Sequence, residues 1–487
     1  MIKNGITLLS KHDPVTQCRK AADAVTVKDK TLYFCPSPLY GYGLDLFLDK
    51  LNKQAPNSIV LCIEADNELY ELAKKNIFTC GTASDKLRLV NFCEPEKLCA
   101  FVRKEWGARA FRRAESLRLT GGWQLFPKLY NSLLEALRSE IALDWSNALT
   151  LTKLGRLYIR NMLRNISLIP KWKSAGELSF GNSPVLVLGA GPSLDKALDD
   201  LPEKKDFKIV CVDTCLPALK DRGIVPDLVV ILESQHWNLR DFTGCKDWNV
   251  SFAFDLSALP ASAKVLAGQG YLFMTPWTNL CFFERLKTFG LLPNVVPPLG
   301  SVGLTAMEIA HRLTTGKITH AGFDFSFTLD KYHARGTPGH KNKLNTHNRF
   351  GGLLNDAVFG AGIFSAGDGK YSNPIMRKYK EMFEKMFLQE PLVRQKPNAE
   401  AQKIPGSNED LNNFIKSEID RLNELRDMLA GKKAMEKDRL HILIEECNYL
   451  WAHFPDYAGG VKPDNEDISF LNRVRVEIDL MMNLLSL

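Results

Sequence analysis

The stretch "VLVLGAGPSLDK", Val185 to Lys196, decides the fold. A continuous apolar run ends in Gly189-Ala190-Gly191-Pro192-Ser193 and then opens an amphipathic segment, as expected of a strand buried on both faces that turns into a helix. In an open parallel sheet ligands sit beyond the carboxyl ends of the strands, where this turn falls. Gly189 and Gly191 admit backbone conformations closed to other residues and keep side chains out of the way of a phosphate. Pro192 stiffens the turn, and Ser193 suits the N-cap of a helix starting near Leu194. Exposed N–H groups and the helix dipole favour an anion there by about 0.3–1 kcal/mol. The same residues also suit a tight turn with nothing bound. The run is not GxGxxG, and it lacks the lysine of a P-loop.

Outward from this turn, residues 176–395 carry a long series of strands and helices: "VLVLGA", "FKIVCVD", "PDLVVILES", "NVSFAFDL", "GYLFM" and "KITHAGFDF". Continuous apolar strands of this kind predict a doubly wound, Rossmann-like α/β domain. Residues 1–105 repeat the rhythm on a smaller scale, from "TLYFC" through "SIVLCIEAD" to "LRLVNF", and predict a smaller Rossmann-like α/β domain. Gly41 and Gly43 precede its first helix and Glu64 closes the next strand, the layout of a nucleotide-binding half-fold, although two glycines alone favour a ligandless Rossmann-like unit over a methyltransferase or NAD site. Residues 106–175 show no strand runs and predict a helical connector, in which Arg156, Arg160 and Arg164 share one face, either as solvated surface or as an attraction for an anion. Residues 396–487 are charged and periodic, and predict a helical C-terminal domain.

Lys and Arg number 63 against 56 Asp and Glu, an excess too small on 487 residues to require nucleic acid as a partner. No run of about 18 apolar residues spans a bilayer and the N-terminus has no long signal-peptide core, which predicts a cytoplasmic location. The eleven cysteines include no CxxC pair and most fall in apolar runs, as Cys62 and Cys211 do, so they read as reduced core residues ahead of metal ligands.

"GAGPSLD" with "CVDTCLPALKDRGIVPDLVV" behind it resembles the motility-associated factor (Maf) family of flagellin glycosyltransferases, which shares its central domain with hydroxymethylpterin diphosphokinase (MptE)-like proteins. It resembles bacterial sialyltransferases more distantly. "YIRNMLRNISL", "PPLGSVGLTAMEIAHRL", "ITHAGFDFSF", "KYSNPIMRKYKEMFE" and "NAEAQKIPGS" follow in the family's order, and "YGYGLDLFLDKL" with "VLCIEADNELY" is similar to its N-terminal domain.

The resemblance implies transfer of a nonulosonic acid, of pseudaminic, legionaminic or sialic type, from a CMP-activated donor to Ser or Thr of flagellin, with no tightly bound cofactor and no metal. It implies that Gly189, Ala190, Gly191, Pro192 and Ser193 line the CMP phosphate and ribose, and that Asp213 and Thr214 hold the nucleotide. An acid at a second strand end also suits ribose hydroxyls on physical grounds, and a helix cap is an equal reading of Asp213. Gly300 and Ser301 open a helix whose Leu304 and Met307 face the core; its amides can receive the sugar carboxylate or simply cap the helix. Asp324 ends a strand on the ligand side. The resemblance places Tyr332 where a hydroxyl donates to the departing phosphate, while Ser326 replaces a second tyrosine of the sialyltransferases. Tyr371 stands at or near their histidine base, a poor base at neutral pH, which leaves His333 as the nearest replacement or as a surface histidine.

His333, His340 and His347 recur every seven residues, but "ARGTPGHKNKLNTHNRFGG" is too rich in Gly, Asn and Pro to predict a helix. The segment 333–370 predicts a lid, with Arg335, Lys341, Lys343 and Arg349 facing solvent or an anionic donor. Two other functions are open. A pterin pyrophosphokinase would gather ATP and Mg²⁺ on Asp213, Glu233 and Asp324, and a flagellin-binding chaperone would keep the fold with a degenerate site.

Overall fold

The computed structural model describes residues 1–79, 85–107, 110–201, 206–349, 360, 362–388, 406–432, 436–458, 463–464 and 467–485. Residues 398–405 of the closing segment "NAEAQKIPGS", and residues 350–359 and 361 of the expected lid, lie outside them. The chain divides into two compact units, residues 1–153 with 453–463, and 154–452 with 464–487.

The first unit opens on a short antiparallel pair, β1 (Ile2–Lys3) and β2 (Ile6–Thr7). Its parallel sheet holds β3 (Thr31–Pro36), β4 (Ile59–Ile63), β5 (Leu87–Val90) and β6 (Arg113–Ser116) in the order β5-β4-β3-β6. Every residue of β3 is buried. Alternation sends Tyr33 and Cys35 to one core with Phe47 and Leu51, and Leu32 and Phe34 to the other with Leu98 and Leu137, so the sheet is covered on both faces. The strand β6 corrects the expectation of no strand in 106–175, as does the two-residue strand Lys173–Ser174 of the second unit. Strand β6 is a sheet edge with the composition RAES, and it shows no apolar run because only Ala114 is buried. Glu64 is buried and engaged by the Ser37 hydroxyl at 2.6 Å and the Tyr130 hydroxyl at 3.2 Å.

In the second unit β7 (Lys173–Ser174) runs beside a sheet made of β8 (Val185–Leu188), β9 (Lys208–Val212), β10 (Leu228–Ile231), β11 (Phe252–Asp255), β12 (Gly270–Met274), β13 (Asn294–Val295) and β14 (Ile318–Ala321). The order is β13-β12-β11-β10-β9-β8-β14, all parallel. Strands β8 to β13 step away one neighbour at a time, and β14 returns to the other side of β8. That reversal sets the carboxyl ends of β8 and β14 side by side, where open sheets of this kind bind ligands. A smaller antiparallel sheet of β15 (Phe327–Thr328), β16 (Phe364–Gly367) and β17 (Lys370–Ser372) follows.

The C-terminal helices Asn408–Leu429, Lys437–Glu446 and Ile468–Leu485 bury an apolar stripe each. Glu418, fully buried, receives both arms of Arg285 at 2.5 and 2.9 Å and Arg421 at 2.8 Å. Such a carboxylate is tolerable inside only because the cations beside it are hydrogen-bonded to it. No helix among the described residues is long and apolar enough to cross a membrane.

At the reversal the two backbones touch. Gly189 N–H donates to Ala321 O at 2.8 Å and Gly191 N–H to Gly322 O at 2.9 Å. A Cβ on Gly322, whose φ is +75°, would lie 2.0 Å from Gly189 O. Gly322→Ala is therefore expected to destabilise the second unit by about 2–4 kcal/mol, from left-handed strain and forced separation of two backbones. Denaturant unfolding measures it, and a loss below half a kcal/mol contradicts the close approach.

Candidate functional site at the carboxyl edge of the central sheet

The turn 189–193 is held closed by the chain itself. Asp324 Oδ2 accepts from the Ser193 N–H at 3.0 Å and from its hydroxyl at 2.8 Å, and Gly322 N–H donates to Ser193 Oγ at 3.1 Å. Ser193 thus makes no capping bond to the helix Leu194–Asp199, contrary to its expected role, because its hydroxyl is spent on Asp324. Gly191 is required by the same contact, since a Cβ there would lie 2.3 Å from Asp324 Oδ2. Beside Asp324, Phe325 sits at φ 49°, a conformation costly for a bulky residue. Ser372 Oγ donates to its carbonyl at 2.8 Å, and its ring packs on Phe383 at 5.4 Å.

Three further segments converge on this turn. Ala334 N–H donates to Ala190 O at 3.0 Å, which brings Tyr332 and His333 to the turn. Asp195, buried, accepts from Lys331 Nζ at 2.8 Å and from Arg335 N–H at 2.9 Å, with Arg222 at 3.8 Å. The Phe323 ring lies 3.3 Å from where a Gly189 Cβ would stand and 3.1 Å from a Gly303 Cβ, so the N-terminus of the helix Val302–Leu313 shares the site. That end has no side-chain cap. Gly300, at φ +73°, gives its carbonyl to the Tyr379 hydroxyl at 2.5 Å, and Leu304 and Met307 are buried as expected.

Tyr332 packs 4.7 Å from Phe327 and 5.0 Å from His333, and Tyr371 lies on the strand paired with Phe327, 6.2 Å ring to ring. Burial, with His340 adding to it, lowers the His333 pKa from its ordinary 6.5, and burial raises that of the Tyr332 hydroxyl. One is a neutral acceptor and the other a neutral donor near pH 7. The helix Pro338–Thr346 corrects the expectation of none in this segment. It buries no residue; Pro338 at its first turn and the ion pair of Lys341 with Asp221 at 3.0 Å anchor it.

One strand over, Asp213 Oδ1 accepts from Thr214 N–H at 2.9 Å and Oδ2 from Asn238 Nδ2 at 2.6 Å. Asn238 Nδ2 also donates to Asp241 Oδ2 at 3.2 Å. Burial, then the Asp241 charge, pushes Asp213 up to about 7; burial pushes Asp241 up to about 6. Asp213 is the first residue of the short 3-10 helix Asp213–Cys215 rather than its N-cap, which is Val212. Among the described residues no group of three or more His, Cys, Asp or Glu is placed to hold a metal ion.

Sequence reasoning missed the residues that hold the far strand ends. Asn161 Nδ2 donates to Ser234 O and Ser257 O at 2.9 and 3.1 Å, and Asn165 Nδ2 to Leu256 O and Ala258 O at 2.9 and 2.8 Å. Both are buried. Two asparagines four apart on the apolar face of "YIRNMLRNISL" were the available signal. Of the arginines on this helix, Arg156 pairs with the buried Glu477 at 2.9 Å.

A parallel, doubly wound sheet with its crevice at the β8/β14 reversal is the architecture of a nucleotide-binding α/β domain. Residues 160–330 match the family model described as 6-hydroxymethylpterin diphosphokinase MptE-like, so an MptE-like domain is present over this region. The chain is 27% identical to an uncharacterized protein of Treponema pallidum (strain Nichols) over 99% of its own length and 94% of that protein's. It is similar to the solved structure of a Maf glycosyltransferase from Magnetospirillum magneticum AMB-1, with 13% identity and a TM-score of 0.49, over 96% of this chain and 76% of that one.

The acid pair titrates with stability. Asp241 holds its proton more firmly folded than unfolded, so it contributes stability at low pH that is lost as pH rises from about 4 through 6. Asp241→Asn is expected to raise the denaturation midpoint at pH 8 and leave it unchanged near pH 4. Equal effects at both pH values contradict the coupling.

Proposed function

We propose that this protein is a cytoplasmic glycosyltransferase that moves a nonulosonic acid from its CMP donor to Ser or Thr hydroxyls of flagellin. The observation that carries the chemistry is the neutral Tyr332–His333 pair, its segment tied to the glycine turn by the Ala334–Ala190 hydrogen bond, with an uncapped helix N-terminus meeting the same turn through the Phe323 ring. The acceptor and sugar class rest on the order of the sequence motifs, and the MptE-like match supports a nucleotide ligand.

Because Asp324 occupies the donors of Ser193, the donor's anionic groups fall to the free amides at the start of Val302–Leu313 and the positive end of its dipole. The turn 189–192 then shapes the floor rather than supplying the charge, and Asp324 is a positioning residue. Asp213 and Thr214 take the ribose. In the transfer the bond from the anomeric carbon to the phosphate oxygen breaks and CMP leaves with the electron pair. Tyr332 donates a hydrogen bond to that oxygen without giving up its proton. The acceptor oxygen bonds to the anomeric carbon, and its proton passes to His333. Tyr371 helps wall the Tyr332 side of the pocket.

A second reading, pyrophosphate transfer from ATP–Mg²⁺, draws on the name of the matching family model. It asks Asp213, Glu233 and Asp324 to serve a cation, whereas Asp213 and Asp324 are engaged by Asn238 and Ser193.

Purified protein incubated with CMP-nonulosonates and flagellin, with the product read by mass spectrometry, is expected to yield glycosylated flagellin. Binding of ATP–Mg²⁺ in place of CMP by calorimetry favours the second reading, and flagellin binding with no transfer to any flagellin favours a chaperone. His333→Gln is expected to slow transfer by about 10²–10⁴-fold with CMP affinity kept. Since burial lowers the His333 pKa below the ordinary 6.5 in the free protein, the acid limb of kcat/KM is expected below that pH; a limb at or above 6.5 removes His333 as the base.

A further inference from the structure

Beyond the turn, the segments that follow β10 and β12 carry buried polar groups with no hydrogen-bond partner among the described residues. Ser234, 2% exposed, has no hydrogen-bond partner for its hydroxyl, and the buried indole N–H of Trp277 has none either among the described residues. Two buried donors left unmet are costly in a folded protein unless a ligand meets them.

One turn of helix touches both segments that carry these donors. Asn161 grips the Ser234 carbonyl at 2.9 Å, and Tyr158, three residues earlier, packs its ring 5.2 Å from that of Trp277 at an angle of 53°. Three residues of helix rise about 4.5 Å. The Trp277 ring is braced from another side by Phe283 at 5.4 Å. Glu233 lies next to Ser234; its Oε1 accepts from Gln235 N–H at 2.8 Å, and Oε2 is left open. Asp255 is not available, since Ser257 and Thr275 N–H occupy its oxygens. The corner therefore offers aromatic faces, two donors and one carboxylate acceptor.

We propose that this corner, formed by Tyr158, Glu233, Ser234 and Trp277, is the base-recognition end of the donor site, and that it selects a pyrimidine bearing an exocyclic amine. This rests on the donor reading above. A cytosine ring presents acceptors at O2 and N3, which match the Ser234 hydroxyl and the Trp277 N–H. Its N4 amine matches the open oxygen of Glu233. Uracil inverts two of the three positions, placing O4 against the carboxylate and N3–H against a donor. The location fits the same ligand: β10 to β12 lie two to four strand spacings from β8, about 10–19 Å, with Asp213 between them. Base, ribose, phosphate and sugar then run in that order from β12 toward β14.

The test uses the full chain, calorimetry with CMP and UMP, and the Trp277 indole resonance identified by its loss in Trp277→Phe. CMP is expected to bind at least about tenfold more tightly than UMP, the worth of one hydrogen bond to a charged group. Glu233→Gln, an exposed and structurally mild change, is expected to bring the ratio to one or below. Trp277→Phe is expected to weaken CMP by about tenfold. The indole resonance should move with CMP and stay in place with ribose 5-phosphate. CMP binding that leaves the resonance in place, or a Glu233→Gln ratio equal to that of the parent protein, overturns the base site and leaves the transfer reading standing. Binding of a purine nucleotide with no affinity for CMP overturns the cytosine assignment together with the transfer reading, as does failure of every nucleotide to bind.

Discussion

The second unit depends on two backbones meeting with no side chain between them. Gly189 and Gly322 end adjacent strands, and the contact that a Cβ would break is also the one that fixes where everything after β14 can go. From it follow the seating of Asp324 on Ser193, the Ala334 bond to Ala190, and through that bond the delivery of Tyr332 and His333 to the crevice. Glycines in such a turn are commonly read as room for a phosphate. Here the room is taken by the protein's own main chain and by a carboxylate.

That internal use of the turn has a consequence for the site. An anion already lies on the donors of Ser193, so a second anion there would face the repulsion of the first at close range. The helix Val302–Leu313 offers the alternative, because Ser301 makes no capping bond and Gly300 turns the entering chain aside at positive φ. Both glycine-bearing ends rest on the Phe323 ring. On the proposed reading the 189–193 turn holds shape, and the anion role that the sequence shared between that turn and the Gly300–Ser301 helix start falls to the helix end alone.

Strands β8 to β12 of the central sheet were legible because each is a continuous apolar run, three of them closed by an acid, Asp213 after β9, Glu233 after β10 and Asp255 ending β11, whereas the two-residue strands β7 and β13 offer no run to read. Continuous runs mark strands covered on both faces. The edge strand β6 escaped because one buried alanine among charged residues leaves no run to read. The helix Pro338–Thr346 escaped because it packs nothing inward, and periodicity is a signal of packing. The residues of the candidate site were legible singly, but their partnerships were not. Asp324 and Ser193 stand 131 residues apart, and no local pattern announces that one will occupy the other. Asn161 and Asn165 were legible as polar intruders on an apolar helix face, yet their role required knowing which carbonyls the strand ends leave unpaired.

The carboxyl edge of the sheet is electrically polar along its width. At the β8/β14 end lie an uncapped helix N-terminus and three cations, Lys331, Arg222 and Arg335, set around the single carboxylate of Asp195. At the β9–β11 end lie Asp213, Glu233, Asp241 and Asp255. Left fully ionised, these acids would repel any anion approaching from the other side. Burial raises the pKa of Asp213 to about 7 and those of Asp241 and Asp255 to about 6, so near neutral pH Asp213 carries only part of its charge while the other two stay largely ionised, and Glu233 lies exposed beyond them. For the proposed donor, an edge graded in this way favours the orientation with its anionic part at β8/β14 and its amine-bearing part at β10–β12. The gradient favours a nucleotide lying across the strand ends over one standing in the turn, and it does so by long-range charge before any contact is made.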